Sequence, residues 1–258
     1  MTEVVDWYDY PRYFEMAFAD ETKPEADFIE AACAKFAARP VRTLLEPGCG
    51  GGRLLIELAA RGYRTTGFDN NPRMLEYLQS RAQRRRLPIK TYPADLAAFR
   101  VPQPVDAAFC TFNTFRHLLT EDAALEHLRC AARAVRRGGL FILGLHLLPP
   151  DASEECIERW TAGRGSTHVH FTLRVVESSR RLRRERIRVS LLARQSGRQR
   201  RLATEFQLRL YNASQIRSLL AKVPEFEHCA TYDFNYEIDL PLKLDDQLSD
   251  AVFVLRRR

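Results

Sequence analysis

The sequence predicts an α/β protein built on a Rossmann-like, doubly wound, mostly parallel sheet of seven strands, with a small antiparallel β insertion after the fifth. Three observations carry this expectation. Between residue 41 and about residue 145, short apolar runs alternate with amphipathic helical segments, the pattern of parallel strands joined by crossover helices. After Pro149 and Pro150 the apolar period becomes two. The first apolar run also breaks directly into Gly48, Gly50, Gly51 and Gly52, a backbone that a ligand can approach closely.

Each element has its own signal. VRTLLEP (41–47) reads as the first strand and GGRLLIELAARG (51–62) as a helix closed by Gly62. YRTTGFD (63–69) is the second strand. Asn71 is placed to cap the next helix, with Pro72 at its first position and MLEYLQSRAQRRR along its length. IKTYPAD (89–95) is a short third strand and VDAAFC (105–110) a fourth. Thr120 can cap the following helix and Asp122 suits its positive end. Gly138 and Gly139 are expected to end that helix before LFILGLHL (140–147), the fifth strand. Upstream, Ala26, Ile29, Ala32, Cys33 and Phe36 predict a helix over 25–36. The aromatic cluster Trp7, Tyr8, Tyr10, Tyr13 and Phe14 ahead of it reads as packing that can also shield a bound nucleotide.

Beyond Pro150, the rows Val169, Phe171, Leu173, Val175, then Ile187, Val189, Leu191, then Phe206, Leu208, Leu210 predict a three-stranded meander with turns at SSRR and QSGR. A helix capped by Ser214 and the strands FEHCATYDF and DAVFVL should complete the main sheet. The chain thus divides into an N-terminal aromatic segment and helix (1–40), a ligand-binding core (41–148), an antiparallel insertion (149–211) and a closing helix with two strands (212–258).

The 258 residues suffice for one large domain with an insertion. The N-terminus is acidic and aromatic, and the longest apolar run, 140–148, contains His146 and stops at two prolines, so neither signal peptide nor membrane span is expected. Six cysteines lack any C-x-x-C or paired histidine spacing, which predicts no metal site, no disulfide framework and a cytoplasmic setting. The net charge of +7 favours anions such as nucleic acid, but only five of the 40 basic residues are lysine, so arginine-biased coding explains the excess equally well. Arg184, Arg186 and Arg188 alternate with the apolar row of the insertion and read as a solvated outer face.

The glycine spacing selects the ligand. Counting from Gly48, the sixth position is Arg53, so the third glycine of a dinucleotide fingerprint is missing; no Gly-Lys-Ser/Thr follows, which excludes a Walker loop. Asp69, 21 residues after Gly48 at the end of the second strand, can accept hydrogen bonds from both hydroxyls of a ribose. Asp95 in PADL can accept from an adenine amino group while the Leu96 backbone serves a ring nitrogen, and Met74 can pack on the adenine face or fill the core. The loop CTFNTFRHLLT after the fourth strand faces the reacting centre. There Asn113 can hold a substrate amine or carboxylate, and His117 can accept a proton or orient the substrate.

In this order and spacing, EPGCGGG, Asp69, PADL, FCTFNTFRHL and RRGGLFIL resemble the successive motifs of class I S-adenosylmethionine-dependent methyltransferases over roughly residues 40–145. NTFRHL is similar to the NSFAHL pattern of glycine N-methyltransferase and of bacterial small-molecule methyltransferases. The resemblance implies that Gly48, Cys49 and Gly50 line the methionine part of S-adenosylmethionine, Asp69 the ribose, and Asp95 with Leu96 the adenine. Glu46, Asn70, Met74 and Phe112 are the further candidate cofactor-binding residues. Asn113 and His117 become the candidate catalytic pair, acting on a small amine or hydroxyl compound. The insertion is expected to cap the site or build a homodimer. Arg116 departs from the pattern, replacing a small residue. Two rival readings are an RNA or protein methyltransferase docking through the arginine-rich insertion, and a noncatalytic cofactor-binding protein.

Overall fold

The computed structural model describes residues 2–258. In chain order these form β1 (Glu3–Val4), a 3-10 turn (Trp7–Asp9), α1 (Pro11–Ala17), α2 (Thr22–Phe36), β2 (Thr43–Pro47), α3 (Arg53–Ala60), β3 (Arg64–Asp69) and α4 (Pro72–Arg85). Next come β4 (Lys90–Pro93), β5 (Val105–Cys110), a second 3-10 turn (Thr114–His117), α5 (Glu121–Ala134) and β6 (Val135–His146). The chain continues with β7 (Ile157–Arg164), β8 (Thr167–Ser179), β9 (Arg184–Gln195), β10 (Arg198–Arg209), α6 (Ala213–Ala221), β11 (Phe226–Tyr232) and β12 (Asp250–Arg257).

The main sheet has seven strands in the order β4-β3-β2-β5-β6-β12-β11, with β2 to β6 parallel and β12 antiparallel to both its neighbours. This is the doubly wound, mostly parallel sheet that the alternation predicts. Both faces are covered, so the strands alternate between two cores. Leu44, Phe109, Leu140, Ile142, Val252 and Val254 pack toward α2 and α3. Leu45, Cys110, Phe141, Leu143, Phe253 and Leu255 pack toward α5 and α6. The order reverses between β2 and β5, and the carboxyl ends of these strands open the crevice where such sheets take ligands.

The second sheet, β1-β10-β9-β8-β7, lies over that crevice. It holds four antiparallel strands rather than the three that the sequence predicts. In β7 only Trp160 and Ala162 supply an inward apolar row, too short to show a period. The fifth member, β1, pairs in parallel with β10 through Glu3–Leu202 and Val4–Ala203, so the N-terminal segment belongs to this sheet. Its aromatics share one core with the sheet's inner row, where Trp7 and Met16 meet Val169, Phe171, Ile187 and Leu191.

Two boundary expectations need correction. Helix α5 ends at Ala134, and Gly138 and Gly139 lie inside β6, where the pairing with β5 shifts register between Val105 and Ala107. The glycines serve a strand irregularity instead of a helix stop. Helix α6 is capped by Asn212, whose side chain accepts from the Gln215 N–H at 2.9 Å while Gln215 bonds back to the Asn212 N–H, so Ser214 is not the cap. Asn71 and Thr120 cap α4 and α5 as expected.

A Cβ at Gly139 would meet the Asp106 carbonyl oxygen at 2.2 Å, where backbone cannot yield. Gly139→Ala should therefore cost at least about 2 kcal/mol of stability, read from the urea unfolding midpoint.

Candidate active site

A cavity of about 1160 Å³ runs between the carboxyl ends of the parallel strands, the N-terminal aromatic segment and the inner face of the second sheet. Its floor is the glycine loop. Gly48, Gly50 and Gly52 all have positive φ (64°, 50° and 70°). Gly48 must lack a side chain, since a Cβ there would lie 2.6 Å from Thr114 Cγ2. At Gly50 that position touches only Met74 Sδ at 3.8 Å and Phe14 Cε1 at 4.0 Å, and the residue lines the cavity. Asp69 braces this loop: Oδ2 accepts from the Gly50 N–H at 2.8 Å and Oδ1 from the Asn71 N–H at 2.9 Å. Burial pushes its carboxyl above the ordinary range, opposed by those N–H donors.

Glu46 lines the cavity ahead of the loop, and its Oε2 is buried without a hydrogen-bond partner. Burial pushes its carboxyl well up, with the Arg53 guanidinium, itself paired to Glu25, pulling the other way. A buried carboxylate oxygen with no partner is a site waiting for a donor. On the opposite wall, the exposed Asp95 accepts from the Ala97 N–H at 2.6 Å, and the Leu96 carbonyl is held by His127 Nδ1 at 2.7 Å. These partners leave the Leu96 N–H without an acceptor among the described residues. Orphan carboxylate, open glycine backbone, ribose-suited Asp69 and free Leu96 N–H together fit a nucleoside that carries an amino-acid tail.

The loop after β5 lines the same cavity beside the glycine loop. Phe112 and Asn113 both have positive φ (57° and 70°), a conformation that side chains disfavour and that packing here enforces. The Phe112 ring is held edge-on by Phe18 and stacked by Phe234, at 4.9 and 5.7 Å between centroids. Asn113 Oδ1 accepts from the His146 N–H at 2.8 Å and from Arg116 Nη1 at 3.3 Å, which leaves its amide nitrogen for other partners. Arg116 is almost fully buried and also donates to the Arg209 carbonyl at 2.9 Å and to the Glu185 carboxylate of β9.

His117 Nε2 lies 3.0 Å from the Tyr8 hydroxyl. Burial and the neighbouring Arg116 push the His117 imidazole down to about 4, and burial pushes the Tyr8 phenol far up, so the pair is neutral at physiological pH. His146, at the end of β6, is held through Nδ1 by the Asp250 carboxylate, with Phe234 against its ring edge at 5.1 Å. Its Nε2 has no hydrogen-bond partner among the described residues.

The structure thus brings Glu46, Gly48, Cys49, Gly50, Asp69, Asn70, Asp95, Leu96, Phe112, Asn113 and His117 to the lining of one cavity. Two need comment. Cys49 turns its thiol into the core against Gly67, so only its backbone is available. Met74 is 1% exposed and does not line the cavity; it packs behind Gly50, because the α4 residue one turn past the Asn71 cap points back at the sheet. Sequence reasoning passed over Tyr8, Asp250, Glu185 and His127. The first sits in the WYDY run, where function was visible only as aromaticity, and the others gain meaning only through distant partners.

The sheet order with this loop and strand-end carboxylate is that of the class I S-adenosylmethionine-dependent methyltransferases, and residues 44–139 match the methyltransferase domain family. A protein of Geobacillus sp. (strain WCH70) assigned to the methyltransferases is 21% identical over 119 residues; these are 46% of this chain and 48% of the relative, so the chain spans about half the length of that curated relative. Among solved structures, a methyltransferase from Clostridium acetobutylicum superposes with a TM-score of 0.79 at 16% identity, covering 95% of this chain and 96% of that one. The amino pentose methyltransferase CalS10 of Micromonospora echinaspora, with S-adenosylmethionine bound, gives 0.69 at 20% identity over 93% and 91%. The sugar N-methyltransferase KedS8 of Streptoalloteichus gives 0.73 at 19% over 96% and 92%. At such identities the likeness shows the fold. The protein has the class I methyltransferase fold and carries a methyltransferase domain over residues 44–139.

His117 and His127 are both pushed down by burial from 6.5 to about 4. Between those values the unfolded chain binds more protons than the folded one, so stability rises with pH across this window and is lost as pH falls through it. His127→Phe should flatten the slope of unfolding free energy between pH 6.5 and 4 by up to about 1.4 kcal/mol per pH unit, measured by urea unfolding at several pH values.

Proposed function

We propose that the protein is an S-adenosylmethionine-dependent methyltransferase whose acceptor is an amine nitrogen of a small molecule. The observation that carries this reading is the continuity of the cavity: the glycine loop and the inner face of the second sheet line one continuous space, together with Tyr8, Phe14 and Phe18. At about 1160 Å³ it exceeds a typical single-ligand pocket, which leaves room for a donor and a small acceptor. The solved structures with a similar fold include an amino pentose and a sugar N-methyltransferase, which favours an amine over a hydroxyl.

The donor's methionine part would lie along Glu46, Gly48, Gly50 and the Cys49 backbone, its ribose on Asp69 beside Asn70, and its adenine between Asp95 and Leu96, with Phe112 toward the reacting end. When bound, the sulfonium supplies an activated methyl group. The chain's task is then to align a nitrogen behind that methyl and exclude water, so positioning supplies much of the rate. The Asn113 amide nitrogen, whose partner oxygen is already engaged, is the group that orients the acceptor. The neutral Tyr8–His117 pair presents hydrogen bonds without charge. An ammonium must lose a proton before it can attack, and His146 Nε2, backed by Asp250, is placed to take it.

The nucleic-acid reading draws less support from the insertion, because Arg186 and Arg188 are engaged by Glu177 and Glu205 across the strands.

The decisive experiment is incubation with methyl-labelled donor and a panel of amine-bearing metabolites, amino sugars included, alongside bulk RNA. Label on a nitrogen of a small product is expected, and label confined to oxygen, carbon or RNA overturns the reading. Asp69→Ala should weaken donor binding by at least about tenfold in calorimetry, through loss of charge-assisted hydrogen bonds and of the loop brace. Asn113→Ala should lower turnover by more than about tenfold while donor affinity stays within about threefold; equal losses in both would move it out of the acceptor site.

A further inference from the structure

His127 is fully buried on α5 and takes no part in the chemistry proposed above. Its ring sits among Phe99, Phe115 and Phe141, with centroids 5.5, 5.4 and 5.9 Å away. Its Nε2 has no hydrogen-bond partner. A phenylalanine would fill this aromatic pocket without leaving a bare nitrogen, so packing alone does not call for histidine. What phenylalanine could not do is bind the Leu96 carbonyl, which lies 2.7 Å from Nδ1. A carbonyl oxygen only accepts, so Nδ1 carries the proton and Nε2 is the unpaired acceptor.

Leu96 lies in the short connection after β4, on the cavity wall, with its side chain over Gly48. The connection is held at two points, by the Asp95 carboxylate on the Ala97 N–H and by His127 on the Leu96 carbonyl. Both holds fall on the peptide that joins Leu96 to Ala97; they fix its plane and with it the Leu96 Cα, and the Leu96 N–H, on the preceding peptide, is left without an acceptor among the described residues. A free donor at this point matches the N1 lone pair of a 6-aminopurine and opposes the N1–H of a 6-oxopurine.

We propose that His127 is a positioning residue that sets the purine preference of the donor site, by holding the Leu96 carbonyl so that the Leu96 N–H selects adenine over hypoxanthine. The inference rests on the donor-site reading given above, and the two can fail separately.

The test uses the full chain, calorimetry with S-adenosylhomocysteine and S-inosylhomocysteine, and the variants His127→Phe and His127→Gln. The wild type should prefer the adenosyl compound by at least about tenfold. His127→Phe should shrink that ratio to about threefold or less, and His127→Gln, which restores an N–H donor, should recover part of it. A merely structural role would weaken both ligands alike and leave the ratio intact, which overturns the proposal. A wild type that binds both compounds equally also overturns it, whereas a wild type that binds neither overturns the donor-site reading itself. Histidine ¹⁵N spectra of the unaltered protein give a check independent of variant folding: a protonated Nδ1 on His127 is expected, and a protonated Nε2 would sink the idea.

Discussion

The buried guanidinium of Arg116 is the interaction on which the arrangement of the site depends. It leaves the loop after β5 and donates to the Glu185 carboxylate on β9, to the Arg209 carbonyl on β10 and to the Asn113 side chain beside it. Desolvating such a pair is expensive, and a well-packed apolar pair of equal volume could be as stable. What the ion pair adds is direction. An apolar contact lets the second sheet slide over the crevice, whereas a planar cation with three fixed acceptors admits one placement. The loop that carries Asn113, with two consecutive residues at positive φ, is held in register with the sheet above it by this group.

The chain carries a net charge of +7, yet many of the charged residues that line its cavity are acidic, among them Glu46, Asp69, Asp95, Glu158 and Asp250. The arginines are mostly outside, and several meet carboxylates: Arg186 and Arg188 with Glu205 and Arg200 with Glu3 on neighbouring strands, and Arg180 with Glu154 between two connections. Net charge therefore describes the surface, while the cavity has its own electrostatics, suited to cationic groups. A wall of aromatic rings beside carboxylates is a favourable setting for such cations.

The main sheet was legible because both its faces are buried, so each strand appears as a continuous apolar run and each crossover helix as a separate period. The clustering of the glycine loop, Asp69 and Asp95 was legible for a related reason: each follows a strand at short range, and sequence order places all three on one edge. The second sheet was legible only where an inner row is long. β7, with Trp160 and Ala162 alone facing in, gave no period, and β1 is two residues paired to a strand some 200 positions away. Gly138 and Gly139 misled because a strand irregularity and a helix stop use the same residue. At the acceptor end, His146 with Asp250 and Arg116 with Glu185 are pairs separated by 104 and 69 residues. No local pattern announces such partners.

The pairing of β1 with β10 makes the N-terminal segment a strap between two territories. One end is stitched to the second sheet by backbone hydrogen bonds and by Arg200 with Glu3. The other is fastened to α4, behind the donor floor, by Asp9 with Asn71 and Arg73 and by Glu15 with Arg81 and Tyr77. Tyr8 and Phe14 lie between these anchorages and Phe18 just beyond them, all three lining the cavity. The glycine loop and the inner face of the second sheet thus have a common doorway, and the hinge of that doorway is made from contacts to both. Loosening the fastenings at either end would unroof the whole cavity at once.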